Sequence, residues 1–409
     1  MTEHTSAVRH KTFYRELEAI LRQIDEEQGL ESMLTTILSR IGDQVLGAET
    51  GISSGRLYRR DHGDYVIVRS FGARGRALLG ERVPSSYPIV TELSHERVTY
   101  TFPDDERFDH DIEGRLGVQT SAAFALDPDR EYIAAFGVDE GADVNEVMLT
   151  LNTLRYAIAH RLKELSLEGQ IREAKDIQLS LLPRTAPPFE GYELAGLSEP
   201  AETVGGDIYD FLPVGGHLMG VALGDASGHG LPAALQARDV VTGLRMGVEK
   251  DLKVASVIQR LNRVIHRSGL TSRFVSLLYG ELEPSGNFVY VNAGHDPGLL
   301  LRTDGRTEQL RSTGIVMGPL ADAEYRRELV HMDPGDVLLL YTDGIVERTR
   351  PADDEEFGLE RFEQVTRRAL AGGAPLSEIP GEILAELRSF GEGQPWSDDV
   401  TLVLIRRNA

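Results

Sequence analysis

The sequence has no cysteine, a single tryptophan and no long apolar run. Without thiols there is no disulfide, no thiolate zinc or iron–sulfur site and no cysteine nucleophile. No stretch approaches the ~20 apolar residues that span a bilayer. The opening MTEHTSAVRHKTFYRELEAI carries charges where a signal peptide needs an apolar centre. These absences predict a cytoplasmic protein that does not engage a membrane. Cations are also scarce: 43 Lys and Arg against 65 Asp and Glu leave a net charge of −22. That field repels nucleic acid and anionic lipid and excludes both as default partners. What is present, 41% hydrophobic and 26% charged residues over 409 positions, is ordinary for a folded chain. At ~150 residues per domain it predicts two or three domains.

Three stretches follow one another. In residues 1–145, apolar positions recur at spacings of three and four: Leu17, Ile20, Leu21 and Ile24, then Leu30, Met33, Leu34, Ile37, Leu38 and Ile41. This predicts helices. GISSGRLYRR, DYVIVRSF, VQTSAAFAL and YIAAFGVD then read as strands, parted by turns such as Asp61-His62-Gly63-Asp64. Helices, a meander of strands and a closing helix make a small α+β module. In order and length it resembles a GAF-type sensor domain, with a PAS-like sensor and a dimerisation module as alternatives.

Residues 146–183 read as a helical linker. Val147, Leu151, Leu154, Ile158, Leu162 and Leu165 are spaced as a heptad-like seam. A second seam through Ile171, Ala174 and Leu181 resumes out of register beyond Gly169, with the polar Gln178 at an in-between position. The expected element is a parallel coiled coil joining two copies of the chain, weighed against a helix packed on its own domain. Two offset seams also permit two pairings, as a switch requires. Pro183 stops the helix. Residues 184–409 are rich in strand signals: HLMGVALGD, RFVSLLYGELE, GNFVYVNAG, VLLLYTDG and DVTLVLIRR, with helices predicted at 231–247, 252–268, 358–371 and 376–390. That balance predicts stacked antiparallel sheets covered by helices, not a doubly wound parallel sheet.

The chemistry is carried by acids at strand ends. Asp207 follows a glycine pair in GGDIYD, Asp225 ends an apolar strand in HLMGVALGDASGHG, and Asp343 ends another in DVLLLYTDG. Asp398 and Asp399 open a strand in WSDDVTLVLIRR. Such aspartates point toward one rim once their strands share a sheet. Carboxylates brought that close raise one another's pKa unless a cation lies among them. Hard oxygen donors with no cysteine and no histidine cluster suit Mg²⁺ or Mn²⁺. Two such ions about 3.5–4 Å apart bridge a water and hold a phosphoryl group in line. Taken singly, an Asp-Gly after a strand reads as a plain turn.

Taken together and in order, VGGDIYD, GDASGHGLPAALQA, NAGHDP, TGIVMGPL, YTDG and SDDVTL strongly resemble the metal-dependent serine/threonine protein phosphatases of the PPM (type 2C) superfamily. More narrowly they resemble its bacterial SpoIIE/RsbU branch, and AKDIQLSLLP resembles the helix leading into that domain. The resemblance covers about residues 174–407 and implies an α-β-β-α sandwich holding two Mn²⁺ or Mg²⁺ ions. It implies that Asp207 is the first metal aspartate, that Asp225 bridges both ions and that Ala226 offers its backbone carbonyl. Asp343 and Asp398 complete the implied catalytic ligands, with Asp399 and Asp210 as supporting acids. His229 sits further from the bridging aspartate than the general-acid histidine of eukaryotic members, so a turn-fixing role is weighed equally. His295 and Asp296 follow a strand and read as a structural turn. No arginine matches the family's phosphate-binding arginine; Arg238, Arg245 and Arg273 are candidates for a local basic patch, each weighed against the stronger reading of an ordinary surface arginine.

The implied activity is hydrolysis of phosphoserine or phosphothreonine by direct attack of a metal-bridged water. The implied substrate is a phosphorylated STAS-type anti-sigma-factor antagonist in a partner-switching pathway. The N-terminal sensor, with an unknown ligand or protein partner, would govern activity through the linker and the helix opening at Leu231-Pro232. A catalytically weak phosphatase-fold scaffold and a metal-dependent phosphodiesterase on small nucleotides are the alternatives. No G-x-x-x-x-G-K loop supports the latter.

Overall fold

A computed structural model describes residues 15, 30–44, 51–72, 75–249, 253–268 and 274–408. The positions Leu17, Ile20, Leu21 and Ile24, and also Arg273, lie outside the described residues. The chain divides into two units, Met1–Gly169 and Gln170–Ala409.

In the first unit, helix α1 (Leu30–Gln44) buries Met33, Leu34, Ile37 and Leu38, the stripe that its three-and-four spacing predicts. The strands are β1 (Ile52–Asp61), β2 (Asp64–Phe71), β3 (Arg82–Pro84), β4 (Thr99–Thr101), β5 (Ser121–Ala125) and β6 (Tyr132–Val138). They form one antiparallel sheet in the order β3-β2-β1-β6-β5-β4. His62 and Gly63 turn the β1–β2 hairpin with φ of 49° and 94°, the left-handed backbone that lets a two-residue turn follow the strand twist. Alternation along β1 separates two cores: Leu57 packs with α1 on one face, while Tyr58 joins a cluster on the other. The second cluster includes residues of the short helices α2 (Pro88–Glu92) and α3 (His110–Leu116).

Helix α4 (Val144–Leu179) runs without interruption through Gly169. Its Val147, Leu151, Leu154 and Ile158 are buried with Phe124 and Phe136 of the sheet, and Leu162 and Leu165 pack partly against the same core. The first seam is thus occupied within its own unit. Leu167 and Ile171 are exposed.

The second unit holds two five-stranded sheets. The first contains β8 (Asp207–Val214), β9 (Leu218–Ala226), β10 (Val275–Leu282), β11 (Asn287–Ala293) and β14 (Glu328–His331), in the order β14-β11-β10-β9-β8. The second contains β7 (Tyr192–Glu199), β12 (Gly298–Leu301), β13 (Thr307–Leu310), β15 (Val337–Tyr341) and β16 (Val400–Arg407), in the order β13-β12-β15-β16-β7. Every pairing is antiparallel. Tyr209, Val221, Leu278 and Phe288 of the first sheet meet Leu300, Leu338, Leu340 and Val403 of the second in a shared buried layer. Helices α5 (Leu231–Glu249) and α6 (Val254–Arg267) cover the outer face of the first sheet through Val240, Leu244, Ile258 and Leu261. Helices α7 (Asp343–Val346), α8 (Leu359–Ala371) and α9 (Ile379–Phe390) cover the second through Ile345, Phe362, Ile383 and Leu387. The result is an α-β-β-α sandwich, with the acid-bearing strand ends at one rim.

Candidate metal centre

Strand periodicity aims the acids. In β8, Tyr209 and Phe211 enter the layer between the sheets while Ile208 and Leu212 face α5. Asp207 therefore points between the sheets and Asp210 points toward α5. Asp207 lies directly across the β8–β9 ladder from Asp225. On the other sheet β15 pairs with β16, so Asp343, just past the end of β15, and Asp398, just before β16, come to the same rim.

The electrostatics record this convergence. Asp225 is pushed up to about 7 by burial and by the carboxylates of Asp343, Asp398 and Asp399. Asp343 is pushed up to about 6 by burial, Asp398, Glu347 and Asp296. Asp207 stands well above the usual carboxylate range through burial and the charges of Asp225 and Asp399, opposed by hydrogen bonds from Thr401 and Thr342. Among the described residues, no group of three or more acidic or histidine side chains already has the arrangement of a formed cation site. Fit rests instead on donor chemistry and on one cradle. A side chain at Gly206 would meet the Ala226 carbonyl oxygen at 2.5 Å and Asp225 Oδ1 at 3.1 Å. Glycine there lets the backbone pass close to both oxygens, which a side chain would displace. Clustered like charges, an adjacent carbonyl and only oxygen donors fit a hard divalent cation.

Asp399 supports this rim from behind. It is buried and accepts from the backbone N–H of Ala201 at 2.8 Å, Gly206 at 2.6 Å and Asp207 at 3.4 Å. Asp398 stays exposed and accepts from the Asp399 N–H at 2.8 Å. Asp210 is not at the rim: it is buried under α5 and pairs with Arg245 Nε at 2.9 Å. Arg245 also donates to the Leu181 carbonyl at 2.7 Å. Arg245 remains exposed while making both contacts. Arg238 pairs with its neighbour Asp239. His229 is exposed and lies 2.8 Å from Glu202, a loop pair. His295 is buried and lowered to about 4 by that burial. Its Nδ1 lies 2.8 Å from Ser276 Oγ, and its backbone N–H donates to Asn292 Oδ1 at 2.8 Å.

The sequence reading passed over Thr342 and missed the roles of Asp296 and Gln178 at the rim. Thr342 donates to Asp207 Oδ2 at 2.7 Å and accepts from the Thr401 N–H at 3.0 Å, tying Asp207 to the opposite sheet. Asp296 adds its charge to the field on Asp343. Gln178, near the end of α4, donates through Nε2 to the Gly205 carbonyl and accepts from the Gly205 N–H at 3.1 Å. It grips the loop that carries Gly206 and Asp207. Its polar place in an apolar seam was the one available signal.

Comparison with known proteins agrees with this architecture. Residues 215–408 match the family described as Stage II sporulation protein E (SpoIIE); the match begins beyond Asp207. The chain is 26% identical over 292 residues to Protein IcfG of Synechocystis sp., covering 64% of this chain and 45% of that one. It is 27% identical over 244 residues to Phosphoserine phosphatase RsbU of Bacillus subtilis, covering 59% and 71% respectively. The chain thus spans under half the length of the first of these relatives and more of the second. Among solved structures, the SiaA-PP2C domain of Pseudomonas aeruginosa superposes with a TM-score of 0.51 at 22% identity, covering 60% of this chain and 98% of that domain. Residues 215–408 are thus similar to the SpoIIE family, and the C-terminal unit shares the fold of that PP2C domain.

Proposed function

We propose that the protein is a cytoplasmic, divalent-metal-dependent phosphoserine/phosphothreonine protein phosphatase, and that its substrate is a phosphorylated STAS-type anti-sigma-factor antagonist. The observation that carries this reading is the convergence of Asp207, Asp225 and Asp343 at one rim, each raised by burial and by neighbouring carboxylates, beside the Ala226 carbonyl. Asp207, Asp225, Asp343, Asp398 and the Ala226 carbonyl would hold two Mn²⁺ or Mg²⁺ ions. When bound, such ions offset carboxylate charge, polarise a phosphoryl group and make water more acidic.

The chain's own residues prepare that arrangement. Thr342 orients the Asp207 carboxylate, and Asp399 holds the Gly206-Asp207 backbone in place. Gly206 lets the backbone pass close to the Ala226 carbonyl and Asp225 Oδ1 without displacing them. Preorganisation of this kind places the cost of gathering like charges on folding rather than on the reaction. That the similar protein RsbU is a phosphoserine phosphatase supports the choice of reaction. The N-terminal unit would be a GAF-type sensor, and Gln178 the grip by which α4 acts on the Asp207 loop. Pairing of two copies through α4 would use Leu167 and Ile171, since the earlier seam is buried at home.

The reading is tested by phosphate release from a serine-phosphorylated STAS-type protein. Release with Mn²⁺ and none with EDTA is expected. Equal release in both, or release only from cyclic nucleotides, would overturn it.

A further inference from the structure

The N-terminal unit buries an arginine and a glutamate that do not satisfy each other. Arg56 points from β1 into the side of the sheet covered by α2 and α3, and it is only 3% exposed; Glu113, on α3, is 5% exposed. Arg56 Nε and Nη1 and Glu113 Oε2 carry no hydrogen bond among the described residues. The other carboxylate oxygen of Glu113 accepts from the Tyr87 hydroxyl at 3.0 Å. Arg56 and Glu113 are near enough for the guanidinium to oppose the rise that burial imposes on the carboxyl, yet they do not close on each other. Both line one cavity of about 40 Å³, whose other walls include Tyr65, Ile89 and Leu93.

Buried polar groups in folded proteins are almost always partnered, and buried charges more so. Two opposite charges facing one cavity, with free donors on one side and a free acceptor on the other, describe the complement of a molecule that carries both signs. A simple anion would satisfy Arg56 and leave Glu113 facing like charge. A simple cation would do the reverse, and an apolar guest would satisfy neither. Size narrows the choice further. A water needs roughly 10–15 Å³ by this measure of space open to its centre, so the cavity takes about three waters, or a guest of a few heavy atoms.

We propose that this cavity binds a small zwitterion of the size of glycine or alanine, its carboxylate on Arg56 and its ammonium on Glu113. The apolar walls accept at most a compact side chain. The site lies wholly within the N-terminal unit and does not depend on the phosphatase reading.

The experiment uses the full chain, with thermal unfolding and calorimetric titration against glycine, L-alanine, acetate, methylammonium and L-tryptophan. Glycine or L-alanine should bind saturably and raise the melting temperature. Acetate and methylammonium should bind at least tenfold more weakly, and tryptophan should be excluded. Arg56→Met and Glu113→Gln should each weaken binding by tenfold or more. The double variant R56M/E113L should melt higher than the wild type without ligand, because two unsatisfied buried charges are gone, and should lose the response to ligand. If Arg56→Met fails to fold, Glu113→Gln carries the same test. The proposal is overturned if neither glycine nor alanine binds, if acetate binds as well as they do, or if the folded variants bind as the wild type does. A double variant that melts lower than the wild type would assign Arg56 and Glu113 to the unit's structure alone and overturn it as well.

Discussion

At the rim of the C-terminal unit, Asp207, Asp225 and Asp343 are gathered with like charge; in the N-terminal unit, Arg56 and Glu113 are buried around a cavity with opposite charge. Burial opposes ionisation at both places. The remedies differ because the signs differ. Like-charged oxygens call for a compact cation, whereas an unclosed opposite pair calls for a guest that bears both charges. The backbone follows suit. At the rim, Asp399 and Thr342 lock the loop and one acid, while at the cavity one oxygen of Glu113 and two nitrogens of Arg56 are left open.

The comparison breaks most visibly at Asp225. Asp225→Asn should reduce phosphate release in Mn²⁺ by about 10³-fold or more, equivalent to about 4 kcal/mol of barrier. Unfolding without metal should be unchanged or shifted upward, because one repelling charge is removed. A variant that lost activity only by unfolding would show a lowered melting temperature instead. Next in size is Asp399→Ala, which strands the N–H groups of Ala201 and Gly206. At about 1–3 kcal/mol for each unsatisfied group, urea denaturation should show a loss of about 2–6 kcal/mol.

Proton linkage sharpens the contrast between the two clusters. The rim acids have folded pKa values raised above their unfolded ones, Asp225 to about 7 and Asp343 to about 6. Stability from these groups is therefore fully present below the unfolded carboxylate value near ~4, and it is lost as pH rises through the folded values. Without divalent metal, the melting temperature should fall between pH 5 and pH 8. Mn²⁺ would bind the acids in their ionised form, so the rise in melting temperature that it causes should be larger at pH 8 than at pH 5.5. The smallest effect is expected at Gln178. Gln178→Ala removes the grip on Gly205 and should cost about 1 kcal/mol of stability. It should lower kcat several-fold at saturating metal, with KM for the phosphoprotein little changed.

Much of this was legible from residue pattern. The helical stripe of Met33, Leu34, Ile37 and Leu38 appears as written, because it reports which face is buried. The strand-end aspartates were visible for the same reason: an apolar run that stops on an acid places that acid at an edge. What periodicity does not name is the partner. Val147, Leu151 and Leu154 are spaced equally well for a second helix or for their own sheet, and they pack on the sheet. Asp210 and Asp207 stand three residues apart in one motif, but odd spacing on a strand sends them to opposite faces, one to Arg245 and one to the rim. The contacts of Asp399 with Gly206 and of Thr342 with Asp207 join residues brought together only by sheet order. No local signal marks them.

The most direct test is anomalous diffraction from crystals of the full chain soaked in Mn²⁺. The account predicts two manganese peaks held by Asp207, Asp225, Asp343, Asp398 and the Ala226 carbonyl, with Asp225 touching both. A single peak elsewhere, or none at saturating manganese, would contradict it.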